Sequence, residues 1–278
     1  MTKAICALTM VRNDEVFIRK WVDYYGAALG RKNLFIILDG HDQEMPAGCE
    51  GVNAIFLPKV HAKLVRAERR RARVMSHFAA GLLYHYDMVI GVDIDEFIVV
   101  DPALGQSLPD YLSSLPPRSS YSSLGLDVGQ HISTESPADF RKPLLSQRKF
   151  AMLSSRYSKP SIIMKPVTWG SGMHRIKGRN FKIDPNLYLF HFGMVDKKQS
   201  ETRETDADLL KAGWGNHMKR RGNLLNIIEA ATPLDGDDYI PTARKLQQSR
   251  RPLYALNKPK LIKGSPVIRI PERFANTV

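Results

Sequence analysis

Cysteine is nearly absent: Cys6 and Cys49 are the only two in 278 residues. That excludes a disulfide framework and a cysteine-ligated metal site, and makes a reducing compartment the expectation. Long apolar runs are missing too. The longest, such as residues 34–38 (LFIIL), fall far short of the roughly 18 residues a membrane-spanning helix needs. The opening MTKAICALTMVRNDE meets Arg12, Asp14 and Glu15 before a leader-like apolar core can develop, so no secretory signal is expected. No internal repeat is visible. Acids are missing locally: residues 141–183 hold eleven Lys and Arg and not one Asp or Glu. Otherwise the chain is that of an ordinary globular protein, 43% apolar and 25% charged, long enough for one large or two modest domains.

The net charge of +13 implies an anionic partner: nucleic acid, a membrane surface or a phosphorylated substrate. Its distribution narrows the choice. Three segments, 59–73, 141–183 and 244–273, together carry +25, so the remainder carries −12, and −8 of that lies in 74–139. Basic flanks around an acidic middle suit a metal and diphosphate site better than the continuous basic stripe of a nucleic-acid binder.

Residues 4–11 (AICALTMV) read as a buried strand, and Phe17, Trp21, Tyr25 and Leu29 then recur at i+4, the stripe of an amphipathic helix. Residues 33–38 and 52–57 read as further strands, 61–86 as a long Arg- and Ala-rich helix, and 88–92 (MVIGV) as a fourth strand. Alternating strands and helices predict an α/β fold with a central, mostly parallel sheet, whose ligands bind at the strands' carboxyl ends. Asp39 and Asp93 fall at such ends. Residues 161–164 and 187–192 read as later strands, 201–231 as helices interrupted near Arg221 and Gly222, and 252–278 as an extended strap or edge strand. No firm assignment is made for 132–161.

The strongest chemical signal is Val92-Asp93-Ile94-Asp95-Glu96-Phe97. Strand side chains alternate, so Asp93 and Asp95 share one side while Ile94 faces the other. Two carboxylates in one space repel each other unless a cation joins them, and hard oxygen ligands suit Mg²⁺ or Mn²⁺.

Met10-Val-Arg-Asn-Asp-Glu15, the Trp21…Tyr25 helix, the strand ending in Asp39 and Asp93-Ile-Asp-Glu-Phe resemble glycosyltransferase family 2 and its DxDEF-bearing relatives of GT-A fold. The resemblance covers residues 3–100 well and continues more thinly through Lys159-Pro-Ser-Ile-Ile, Gly172-Met-His174 and Leu187-Tyr-Leu-Phe-His-Phe192. It implies a GT-A domain over 1–194, split near 101 into nucleotide-binding and acceptor halves, with a helical extension and basic tail over 195–278. It further implies a metal-dependent transfer of sugar from a nucleotide-diphosphate donor, a UDP-sugar first, to a glycan or lipid-linked acceptor. Arg12, Asp39 and Asp93 would hold the nucleotide. Asp93, Asp95 and His191, which lies 96 residues after Asp95, would hold Mn²⁺ or Mg²⁺.

The usual carboxylate base is missing around Trp169-Gly-Ser-Gly-Met-His174-Arg175. His174 and Asp184 stand as candidate bases, with Asp127 and Glu135 as further ones. The surplus bases of 141–183 and 244–273 suggest an anionic acceptor or peripheral contact with a membrane's inner face. The expected setting is cytoplasmic, with no nucleic-acid partner. Competing readings are a non-catalytic relative that binds sugar nucleotide, and a nucleic-acid-binding or -processing protein that uses the basic segments.

Overall fold

The computed structural model describes residues 2–204 and 215–278. The first apolar run is β1 (Ile5–Val11), followed by α1 (Glu15–Leu29), whose N-terminus is capped by the Asp14 carboxylate accepting from Phe17 N. Phe17, Ile18, Trp21, Val22 and Tyr25 are the buried face of α1, the stripe expected from their spacing. Next come β2 (Leu34–Asp39), β3 (Asn53–Leu57), α2 (Leu64–Leu82), β4 (Met88–Gly91) and β5 (Glu96–Val100). Beyond them lie α3 (Leu108–Ser114), β6 (Ser120–Gly129), α4 (Leu144–Gln147), β7 (Phe150–Leu153), β8 (Ile162–Ile163) and β9 (Ile183–Met194). The chain continues through α5 (Lys197–Glu204), α6 (Gly215–Ala230), β10 (Leu234–Asp235), α7 (Gly236–Gln248) and β11 (Val267–Arg269).

The fold is α/β, with a large sheet flanked by helices. Among the described residues eleven strands form one sheet in the order β10-β11-β7-β6-β8-β4-β1-β2-β3, and β9 pairs with both β5 and β6. The segment β3-β2-β1-β4 is wholly parallel, as the alternation of strands and helices predicts. Past β4 the ladder turns antiparallel at β8. Two registers in this second part matter for the site. Glu96 of β5 stands opposite His191 of β9, and Asp127 of β6 stands opposite His191 on the other flank.

Of the helical stretch expected over 201–231, residues 205–214 lie outside the described residues, and α6 runs unbroken through Arg221 and Gly222. The strap is more than an edge. Its strand β11 lies between β10 and β7, and Phe274 beyond it is fully buried against Tyr188 and Phe190.

The segment 92–95 departs from expectation. Asp93 and Asp95 sit in a turn between β4 and β5, closed by Glu96 N donating to Asp93 O at 3.1 Å. Strand alternation therefore does not put the two carboxylates on one face; the turn sends Asp93 to Arg71 and Lys159 and Asp95 to His191. An aromatic cluster fixes the strand that follows. Phe97 lies parallel to Tyr25 at 6.1 Å and edge-on to Tyr24 and Phe192, while Tyr25 Oη accepts from Ile98 N and Tyr24 Oη donates to Ile98 O.

Candidate functional site

At the carboxyl edge of the parallel strands, the ends of β1, β2 and β4 present Arg12, Asp39 and Asp93. The Arg12 guanidinium donates to Asp39 O at 2.8 Å and grips Asp42 with both terminal nitrogens at 2.9 and 2.7 Å. Arg12 thus ties β1 to the turn after β2, and its hydrogen bonds hold the Asp42 carboxyl well below the usual range.

Asp93 is met by two cations. Arg71, projecting from α2, donates to the Asp93 carboxylate and at 3.1 Å to Met10 O. Lys159 Nζ lies 3.2 Å from Asp93 and 2.7 Å from Glu96. Lys159 and Glu96 are both completely buried, so this is a compact cluster of two cations and two anions. Burial works to raise the Asp93 pKa, but Arg71 and Lys159 outweigh it and the carboxyl ends well below its ordinary value. Burial works against the charges of Arg71 and Lys159 as well, but the surrounding carboxylates, Asp93 first and Glu96 with it, together more than offset it, so both hold their protons more tightly. Glu96 is pushed up to about 7 by burial and the Asp93 charge, with Lys159 opposing.

The second centre is His191. Its Nδ1 is 2.6 Å from Asp127 and its Nε2 is 3.5 Å from Asp95. The Tyr157 ring stacks on the imidazole with centroids 3.8 Å apart. Burial alone would lower its pKa, but Asp95 and Asp127 together raise it to about 9. Asp127, His191 and Tyr157 line a cavity of about 300 Å³ whose other walls include Arg156, Leu224 and Ile262. Tyr157 reaches the imidazole because the 154–158 turn packs directly on β6: Gly125 N donates to Ser158 Oγ at 2.8 Å, and a Cβ on Gly125 would lie 2.2 Å from the Tyr157 carbonyl carbon.

His174 belongs to the first cluster. The turn that carries it is joined to Lys159 through Gly172 O at 3.5 Å, and Trp169, before it, packs on Gly91 so closely that a Cβ there would fall 2.6 Å from the ring. Burial and the Lys159 charge lower the His174 pKa to about 3, which leaves a neutral imidazole of weak basicity. Asp184 is not brought to either centre. It lies seven residues before His191 on β9, roughly 23 Å along the strand, where its carboxylate accepts from Tyr111 Oη at 2.7 Å and Asn186 N at 2.9 Å. Glu135 is likewise spent, accepting from His131 N and Lys149 N.

Asp95 and His191 could hold a divalent cation. An oxygen and a nitrogen 3.5 Å apart are close to the roughly 3.0–3.4 Å edge between neighbouring ligands at about 2.1 Å from a metal. The Asp127 carboxylate on the far ring nitrogen is the support that orients a ligating histidine. Asp93, held by Arg71 and Lys159, does not complete the set: among the described residues no group of three His, Cys, Asp or Glu side chains is disposed to hold an ion. The donor set thus fits a cation with two protein ligands, whose remaining positions would be filled by substrate oxygens and water.

Arg71, Lys159 and Tyr157 were not singled out as site residues by sequence. The basic run 59–73 was the signal for Arg71, and Lys159 opens the Lys159-Pro-Ser-Ile-Ile segment; nothing marked Tyr157.

No family model matches the sequence, and no curated protein is detectably similar to it. Among solved structures, the chain is similar to mannose-1-phosphate geranyltransferase from Thermus thermophilus, with 10% identity over 82% of this chain and 65% of that one and a TM-score of 0.31. The chain therefore spans slightly under two thirds of that protein. It is also similar to the mannosyltransferase PcManGT from Pyrobaculum calidifontis in complex with GDP-Man and Mn²⁺ (12% identity, 90% and 82% covered, TM-score 0.33). A third is a CMP:2-keto-3-deoxy-manno-octonic acid synthetase complexed with CTP (10%, 79% and 86%, TM-score 0.27). At such identities and scores the likeness is one of chain path and says nothing of the chemistry. Among the described residues no helix is long and apolar enough to cross a membrane.

Proposed function

We propose that this protein is a glycosyltransferase that moves a sugar from a nucleotide-diphosphate donor, with UDP-sugars the first to test, to a hydroxyl of a glycan or lipid-linked acceptor. The observation that carries this reading is the paired centre at the sheet's carboxyl edge: Asp93 with Arg71 and Lys159 on one side, Asp95 with His191 and Asp127 on the other. Open parallel sheets bind ligands at that edge, and Arg12 and Asp39 stand there to contact base and ribose. Arg71, which donates to Met10 O, supplies positive charge beside the end of β1, where a diphosphate would gain from it, while the buried Lys159 balances Asp93 and Glu96.

In an inverting transfer the acceptor hydroxyl attacks the anomeric carbon. A new carbon–oxygen bond forms there, the bond to the phosphate oxygen breaks, and the electron pair leaves with the nucleoside diphosphate. The hydroxyl proton needs an acceptor. Asp127 is the best placed, because it lines the cavity together with His191, whereas Asp184 is remote and His174 is weakly basic. Asp95 and His191 would hold Mn²⁺ or Mg²⁺, which when bound supplies charge for the departing diphosphate.

A donor screen by nucleotide release with Mn²⁺ tests this. Asp95→Asn is expected to lower turnover by about 10²–10³-fold with the circular dichroism spectrum unchanged, a loss on the scale of removing one key electrostatic group. Asp127→Asn should lower kcat by about 10²–10⁴-fold, as for a general base. Full turnover in purified D95N would overturn the assignment.

A further inference from the structure

The segment 250–263, where the strap begins, combines two features that the proposed reaction does not use. Leu253, Tyr254 and Leu261 are 88, 82 and 79% exposed, the most exposed large apolar side chains in the described part of the chain apart from Tyr84. Around them Arg250, Lys258, Lys260 and Lys263 are exposed as well, and the segment has no acid. Single exposed leucines are common and mean little. Here the backbone beneath the side chains is fixed. Lys260 N donates to Gln247 O at 2.8 Å, Ser155 Oγ donates to Lys260 O at 3.0 Å, Phe181 N donates to Leu256 O at 2.8 Å, and Arg251 Nη1 closes the loop on Lys258 O at 2.8 Å. A loop held at four points, with its apolar side chains turned outward among cations, is built to meet a surface that is apolar within and anionic at its face.

We propose that this segment docks the protein on an anionic lipid bilayer, with Leu253, Tyr254 and Leu261 inserting at the headgroup level and the four lysine and arginine side chains lying on the phosphates. Apolar insertion and charge attraction are the two signals that together hold a protein at a membrane surface, and each cation near an anionic leaflet strengthens partition by about fivefold. Leu261 also lines the cavity beside His191, so docking sets the mouth of that cavity against the lipid. Nucleic acid would use the cations but give Leu253 and Leu261 nothing to bury. A second copy of the chain would face the same cations with the same charge.

The test is co-sedimentation of the full chain with phosphatidylcholine vesicles and with vesicles containing about 30% phosphatidylglycerol, at low and high salt. It is independent of sugar transfer, so its outcome and that of the donor screen are separable. Partition to the anionic vesicles alone, weakened by salt and reduced at least tenfold in the triple variant Leu253→Ser, Tyr254→Ser, Leu261→Ser, is expected. These positions are exposed, and an unchanged thermal midpoint shows that the variant is folded. In the Tyr254→Trp variant, bromine-labelled acyl chains should quench fluorescence beyond the parent's level. Absence of partition, equal partition of the triple variant, binding to oligonucleotides that the same triple variant weakens, or a lipid-free dimer that it dissociates would each overturn the proposal.

Discussion

Lys159 illustrates how one side chain ties fold to site. Its ammonium is fully buried between Asp93 and Glu96, and removing one partner from such a cluster leaves charge without compensation, at a cost of about 3–5 kcal/mol. Lys159→Met should therefore show a loss of that size in urea unfolding, and adding Glu96→Gln should recover part of it. A loss below about 0.5 kcal/mol would mean that Arg71 alone balances both carboxylates. His191 makes a prediction in pH. Its pKa rises from the ordinary 6.5 to about 9 in the folded chain, so the folded state binds the proton more tightly. The stabilisation is complete below about pH 6.5 and is lost as pH climbs through 9, on the order of 3 kcal/mol in all. Urea midpoints in chelator-treated buffer should fall between pH 6.5 and 9, and Asp127→Asn should flatten that slope. A flat profile in the parent protein would show that the imidazole is neutral.

At the scale of elements, α1 and α2 were legible from a helical apolar stripe, and β1, β2, β3 and β4 from short apolar runs, which the sheet buries almost throughout except in the edge strand β3. β6 was not. Its sequence SYSSLGLDVG reads as turn residues, yet almost every position is buried, since small side chains are what neighbouring backbone requires there. Gly125 is the clearest case: a Cβ would meet the Tyr157 and Ser158 backbone at 2.2 and 2.3 Å. Gly125→Ala should cost about 1–3 kcal/mol by thermal unfolding, the range for overpacking, and should lower activity further by shifting Tyr157 off His191. Stability and activity equal to the parent would mean that the 154–158 turn yields freely. The same limit applied at the DxD segment. Its composition was visible, but whether it is strand or turn depends on β5 turning back to pair with β9, a long-range event.

For the whole molecule, the C-terminal tail is itself joined to the body. Arg273 pairs with Asp101 at 2.7 Å and also with Asp237, and Phe274 packs on Tyr188 and Phe190. Phe274→Ala should cost about 3–5 kcal/mol while unfolding stays a single transition; two transitions would show that the tail is an independent unit. The sequence by itself determined the α/β class, the parallel first half and the acidic segment between basic flanks, because hydrophobic period and charge are written locally. It also placed Arg12, Asp39 and Asp93 at strand ends. What only the tertiary structure decided is which of the later residues meet them. His191 faces Asp95 and Asp127 because β9 lies between β5 and β6 in one register, and a slip of one residue would turn it to the other face. Asp184, on the same strand, is carried away by that register. The charge followed the same division: its sum was legible at once, but Arg71 and Lys159 turned inward to neutralise Asp93 and Glu96, while Arg250, Lys258, Lys260 and Lys263 were left outside beside exposed leucines.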